Sequence, residues 1–486
     1  VEDAHRTIAL NTLLLSATEL LTRVVSVVLV IFVARRLGPG MMGIYAFALT
    51  FVNLFEVLVN FGLERYIQRE VGRRPELAGP LFSQVFALKL LIYAGCAVII
   101  LALSLTIVDS NLKRWVIWLL SLSLFFRANI VSSTSFFRAH QQAKYEALVV
   151  ISFRLVYGGV GIAAILSGRG LLTLAGLELV AQMGACALAW CLFIKKIGNP
   201  FYRVTWNHLR QLARSTWHFL LIRVALIVYV SLNMFMLSFM AGDVATGFYA
   251  AALRLCGSFE FLPDAFTGAF LPALSRQITL GWESFGAIFR PYFKYLLLIG
   301  LGLAAVLAGM AEGFILFIFG PAFKPAILTL IILSAALALS FTNLSLSNCL
   351  IVLDRERKIV MIFVAAAILN LTLNLILIPI YRQNGAAGGS LISEIMVLFL
   401  MLRAIGWRQL RTLGLGRVTL RPLLAGLLSF GLGRLLMVWQ VNFFLGLALM
   451  AVGFMLLMVV TGALSRDELR AARELIRWKR KELEVV

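Results

Sequence analysis

Leu37-Gly-Pro-Gly-Met-Met-Gly-Ile-Tyr-Ala46 joins two apolar runs, 8–34 and 41–63. At about 1.5 Å of rise per residue, each run is long enough to cross a bilayer as a helix. The glycines and proline between them make a tight turn, so the pair reads as a transmembrane hairpin. The last four residues return, with one change, as Gly247-Phe-Tyr-Ala250. In that register Glu56 matches Glu260, Asn60 matches Asp264, and Arg23 falls about one helical turn from equivalence with Arg223. Further on, Gly170-Leu-Leu-Thr with Glu178 is echoed by Gly385-Ala-Ala-Gly with Glu394. The chain therefore reads as a duplicated bundle of membrane helices.

Composition agrees. Of the 486 residues, 61% are hydrophobic and 14% charged, whereas soluble domains carry about a quarter charged residues. Further spanning runs are expected at 80–106, 115–136, 146–167, 171–194, 216–240, 247–272, 295–319, 326–353, 359–380, 385–405, 423–440 and 442–463. The expected fold is an all-α polytopic membrane protein of about fourteen helices. Its parts are an N-lobe over 1–200, a C-lobe over 201–410, two extra helices within 411–464 and a tail over 465–486. The two six-helix lobes would be parallel repeats, related by a pseudo-two-fold along the membrane normal. In the tail, Ser465 and Glu468 form a capping box. It opens a basic amphipathic helix, lying either on the inner leaflet or in solvent.

The net charge of +21 does not indicate nucleic acid. About 30 of the 44 Lys and Arg fall in one alternate set of segments between runs, as the positive-inside rule requires of cytoplasmic loops. Both termini are then cytoplasmic. The five cysteines lie in apolar runs without Cys-x-x-Cys spacing, so no disulfide framework is read. Leu37–Gly43 lacks the lysine of a phosphate-binding loop, and no metalloprotease or serine-hydrolase motif is present. No catalytic residue, metal or cofactor is assigned.

The chemistry lies in charges inside the runs. A cation at the centre of a membrane helix costs roughly 2.5–3.5 kcal/mol, so it faces protein or water. Arg23, Arg127, Arg154 and Arg223, with Lys89, are the candidates for binding an anion such as a phosphate, which suits the paired hydrogen bonds of guanidinium. Glu56, Glu260 and Asp264 are the candidates for exchanging a coupling H⁺ or Na⁺, with Pro263 loosening the helix beside Asp264. Buried ion pairs are the competing account, because acids and bases nearly balance and Glu19 lies one turn from Arg23. The first half holds the excess of cations, while the second half offers amides such as Asn370 and Asn374.

Three segments resemble bacterial polysaccharide and O-antigen flippases. They are Leu37–Tyr45, Gly247-Phe-Tyr-Ala-Ala-Ala-Leu-Arg254 with Leu271-Pro-Ala-Leu-Ser-Arg276, and Leu369-Asn-Leu-Thr-Leu-Asn-Leu-Ile-Leu-Ile-Pro379 with Asn384-Gly-Ala-Ala387 and Ser393-Glu394. These flippases belong to a superfamily of multidrug, oligosaccharidyl-lipid and polysaccharide exporters. The resemblance implies two six-helix lobes with alternating access to a central cationic cavity. It implies a polyprenyl-pyrophosphate-linked oligosaccharide as substrate. Membrane lipids, a glycan polymerase and glycosyltransferases are the implied partners. The added helix pair resembles the flippase branches, including the lipid II flippase. The alternatives are an H⁺- or Na⁺-coupled exporter of drugs or organic cations, which would prefer acids in the cavity, and a lipid II flippase.

Overall fold

The structure is a computed structural model that describes residues 2–464, leaving aside the side chains of residues 2–9, 12, 218, 219, 221–226, 228–230 and 417. The expectations for the Arg223 side chain and for the tail 465–486 thus lie outside the described residues. Among the described residues the regular structure is helical. In chain order the α-helices are α1 (Glu2–Asn60), α2 (Leu63–Arg73), α3 (Ala78–Ile107), α4 (Asn111–Ala139), α5 (Ala143–Leu166), α6 (Leu171–Lys196), α7 (Trp206–Gly257) and α8 (Phe261–Gln277). Then come α9 (Trp282–Gly309), α10 (Ala311–Ile318), α11 (Ala326–Val352), α12 (Glu356–Tyr381), α13 (Gln383–Ile405), α14 (Trp407–Leu413), α15 (Leu415–Val438) and α16 (Phe443–Val460).

Among the described residues, twelve helical stretches are long and apolar enough to cross a membrane. Two of them, Leu13–Arg73 and Ser231–Leu280, each take in two expected runs, wholly or in part, so all fourteen expected runs have helical counterparts. The breaks inside these long stretches are alike. Gly38 (φ 82°, ψ 177°) interrupts α1 and Gly242 (φ 81°, ψ 177°) interrupts α7. This left-handed extended conformation is open to glycine and strained for other residues. Pro39 then opens the resumed helix, where its missing N–H breaks no helical bond. The repeat aligns Gly38 with Gly242, so the duplication seen in side chains is also written in the backbone.

The helices cluster into two compact units, Val1–Ala250 and Ala251–Val486. This division falls fifty residues beyond the expected lobe boundary at residue 200. The reason is packing by the first part of α7: Phe235 meets Phe47 and Phe51 of α1 edge-on, at 5.5 and 6.1 Å. A Cβ added to Gly43 would lie 1.8 Å from the Asp243 carbonyl oxygen, and one on Gly247 1.9 Å from the Pro39 carbonyl oxygen. The two copies of the repeated tetrapeptide therefore cross backbone to backbone.

In the first unit, α4 packs on α6, α1 on α4 and α5, and α5 on α6. Phe47, Phe51 and Phe55 of α1 bury against Val116, Ile117, Leu120 and Leu124 of α4. Beyond Gly62, amphipathic α2 buries Leu63, Ile67 and Val71. Lipid tails are as apolar as leucine, so such contacts gain dispersion and close fit rather than transfer from water. In the second unit, α11 packs between α9 and α13, α12 on α13, α15 on α9, and α16 on α15. The final pair α15–α16 is thus an addition to the α9 face, anchored by Met310, Leu436 and Met450.

Candidate functional site

One face of α1 is polar along an apolar helix. Asn53, Glu56 and Asn60 recur at three- and four-residue spacing, which stacks them on one side. Glu64 at the start of α2 continues the row. Opposite stand Thr134, Ser135 and Arg138 on the last turns of α4, and Glu146 in the first turn of α5. Together they enclose a cavity of about 430 Å³ in the first unit. A tight turn at Gln141 (φ 55°) brings α4 back against α5, so residues eight apart meet. Arg138 Nε donates to Glu146 Oε2 at 2.7 Å, and its Nη2 donates to Oε1. The paired fork holds the buried Glu146 carboxylate in one geometry.

Arg127 backs the opposite wall. Its Nη2 donates to Asn53 Oδ1 at 3.0 Å and pairs with Glu56 Oε2 at 2.9 Å. Its Nε is buried with no acceptor. Behind the cavity lies a second polar cluster. The hydroxyls of Tyr45 and Tyr157 are 2.9 Å apart, and Tyr157 donates to Glu178 Oε2 at 3.2 Å. The charges of Arg127 and Arg154 both act on the Glu178 carboxyl. The Arg154 guanidinium sits 5.3 Å from the Phe153 ring centre, and among the described residues it forms no ion pair or hydrogen bond.

The predicted site residues are therefore distributed unevenly. Glu56 lines the cavity and pairs with Arg127, while Arg154 stacks near Phe153. Lys89 is fully buried behind the wall, its Nζ donating to Asn60 Oδ1 at 2.9 Å and to the Ala128 carbonyl at 2.6 Å. Arg23 pairs with Glu19 along its own helix at 2.9 Å, half-exposed. Glu260 and Asp264 belong to the second unit and are exposed near the break between α7 and α8. Pro263 lies in the first turn of α8, where a missing N–H breaks no helical bond. The wall of this cavity carries three carboxylates and one guanidinium. Arg127 and Lys89 turn toward Glu56 and Asn60 and do not line it.

Arg138, Glu146, Glu64 and Asn53 were not among the predicted residues. Two signals in the sequence mark them. The 53/56/60/64 row has helical spacing, and Arg138 and Glu146 straddle a turn symmetrically. The second unit is built differently. Asn343 Nδ2 donates to Glu394 Oε2 at 2.7 Å, Asn348 Nδ2 to Tyr292 at 2.7 Å and Thr267 at 3.1 Å, and Asn374 Nδ2 to Asn370 Oδ1 at 3.0 Å.

These features define a multi-pass membrane protein with polar chemistry held inside its helices. Residues 8–278 match the polysaccharide biosynthesis protein family, and the chain belongs to it. A protein of Escherichia coli (strain K12) named "Putative O-antigen transporter" is 20% identical over 375 residues, which cover 76% of this chain and 90% of that protein. The solved structure of the lipid II flippase MurJ in an inward closed conformation has a TM-score of 0.73 at 14% identity. It covers 96% of this chain and 100% of its own. An inward-facing multidrug resistance transporter of the MATE family, in the MOP superfamily, has a TM-score of 0.66 at 15% identity. It covers 82% of this chain and 96% of its own. At these identities the two structures bear on the fold alone.

Proposed function

We propose that this protein is a flippase that moves a polyprenyl-pyrophosphate-linked oligosaccharide across the bacterial inner membrane, with both termini cytoplasmic. The observation that carries this reading is the buried Nε of Arg127. A guanidinium N–H left without an acceptor inside a protein calls for a partner. Arg154, on α5 of the same unit, has no carboxylate partner of its own among the described residues. Two such guanidiniums suit the two phosphates of the lipid carrier. The neighbouring cavity offers carboxylates, amides and hydroxyls, which suit sugar hydroxyls. The lipid-linked glycan would come from glycosyltransferases and pass to a glycan polymerase.

Replacing Arg127 or Arg154 by Ala should abolish glycan export in a strain that depends on this protein, with export normalised to the amount of protein in the membrane. Export that survives both changes would remove the phosphate role.

A second reading has its own support. Three carboxylates on one wall also suit export of a small organic cation, coupled to H⁺ or Na⁺ through Glu56. Dye efflux from vesicles under an imposed ion gradient separates the two. Efflux that is lost in Glu56→Gln, with glycan export absent throughout, would favour the cation exporter.

A further inference from the structure

A second cavity, of about 380 Å³, lies in the second unit between the start of α12 and the end of α13. Its walls come from two helix faces. Lys358, Met361 and Ile362 keep helical spacing on α12, and Leu400, Arg403 and Ala404 keep it on α13. Each face contributes one cation, and the remaining wall is apolar. Among the described residues neither the Lys358 nor the Arg403 side chain forms an ion pair or a hydrogen bond, and no carboxylate lines the cavity. Arg355 cannot serve it as a free charge, because its Nη1 donates to the Ala404 and Ile405 carbonyls at 2.7 and 3.0 Å. That bond instead satisfies the C-terminal end of α13 and fixes it beside α12. Both cations are exposed, and both stand at helix ends, the depth at which headgroups sit.

We propose that this groove binds an anionic phospholipid, with its phosphodiester between Lys358 and Arg403 and its acyl chain along Met361, Ile362 and Leu400. Two uncompensated cations above an apolar slot match a molecule that is anionic at one end and hydrocarbon at the other. A free phosphate would use the cations and leave the slot unfilled. A zwitterionic lipid would fill the slot but bring its own cation. The site lies in the second unit and shares no residue with the helices of Arg127 and Arg154.

The test uses the full chain in nanodiscs of phosphatidylcholine containing a minor share of phosphatidylglycerol, with bound lipid counted by native mass spectrometry. Wild type should retain phosphatidylglycerol in preference to phosphatidylcholine. The double variant Lys358→Gln/Arg403→Gln should weaken that retention about thirtyfold, equal to about 2 kcal/mol for two headgroup-level cations. Lys358→Arg/Arg403→Lys should keep it, and Leu400→Trp should reduce it by filling the slot. Equal retention by wild type and the Gln variant, or equal retention of the two lipids by wild type, would overturn the proposal. Displacement of phosphatidylglycerol by excess inorganic phosphate would reassign the groove as an ion site. Size-exclusion profiles of the variants confirm folding, and glycan export measured in parallel keeps this outcome separate from the transport reading.

Discussion

Glu178 in the first unit and Glu394 in the second stand within one residue of equivalence in the internal repeat, yet their surroundings differ in kind. Around Glu178 are two tyrosine hydroxyls and the fields of two arginines. Glu394 is met by Asn343, which donates to both its carboxylate and its backbone carbonyl. The same contrast runs through the units. The first fastens its interior with charge, as Arg127–Glu56 and Arg138–Glu146. The second uses amides and hydroxyls, as Asn348–Tyr292–Thr267 and Asn370–Asn374. A shared scaffold thus tolerates two chemistries. The ionic one is costly to break and sensitive to a charged ligand, while the amide one is cheaper to break and indifferent to charge.

The sharpest way to break the comparison is at Arg127. Arg127→Ala leaves the Glu56 carboxylate without its cation and should lower stability by about 3 kcal/mol, read as a fall in melting temperature in detergent. The double change Glu56→Leu/Arg127→Met should recover most of that loss while glycan export stays absent. Recovery of export with it would mean that the pair is purely structural. In the second unit, Asn348→Ala removes donors to Tyr292 and Thr267 and should cost about 1–2 kcal/mol on the same assay. If it costs more than Arg127→Ala, the contrast between units fails. Glu394→Gln should change stability by less than about 0.5 kcal/mol. The new amide can accept from Asn343 Nδ2 and donate to Asn343 Oδ1, which is buried without a partner. Smallest of all, Glu19→Ala should shift the melting temperature within error, because the Glu19–Arg23 pair is exposed and worth about 0–1 kcal/mol.

Much of this architecture was legible in the sequence because membranes restrict the choices. An apolar run of the right length can only be a spanning helix, and the Gly-Pro-Gly turn and its distant echo announced both hairpins and the duplication. The preference of the second half for amides could also be read, from Asn370 and Asn374. The side-chain partners could not. Arg127 and Glu56 lie on different helices, and their pairing depends on the rotation of each helix about its axis, which an apolar run barely encodes. Lys89 shows the same limit. It looks like a cavity cation in sequence, but its helix turns it inward onto Asn60 and a carbonyl. Only where a polar row has helical spacing, as at Asn53, Glu56 and Asn60, does the sequence disclose which face is wet.

The crossing at Gly43 and Gly247 bears on ancestry. Gly43 lies against the carbonyl of Asp243, and Gly247 lies against the carbonyl of Pro39, each residue meeting the counterpart of its own neighbour. That reciprocity matches an isologous contact, in which a patch meets its own copy about a local two-fold axis, as expected of a duplicated segment. Neither glycine could acquire a side chain without colliding with the backbone of the other copy.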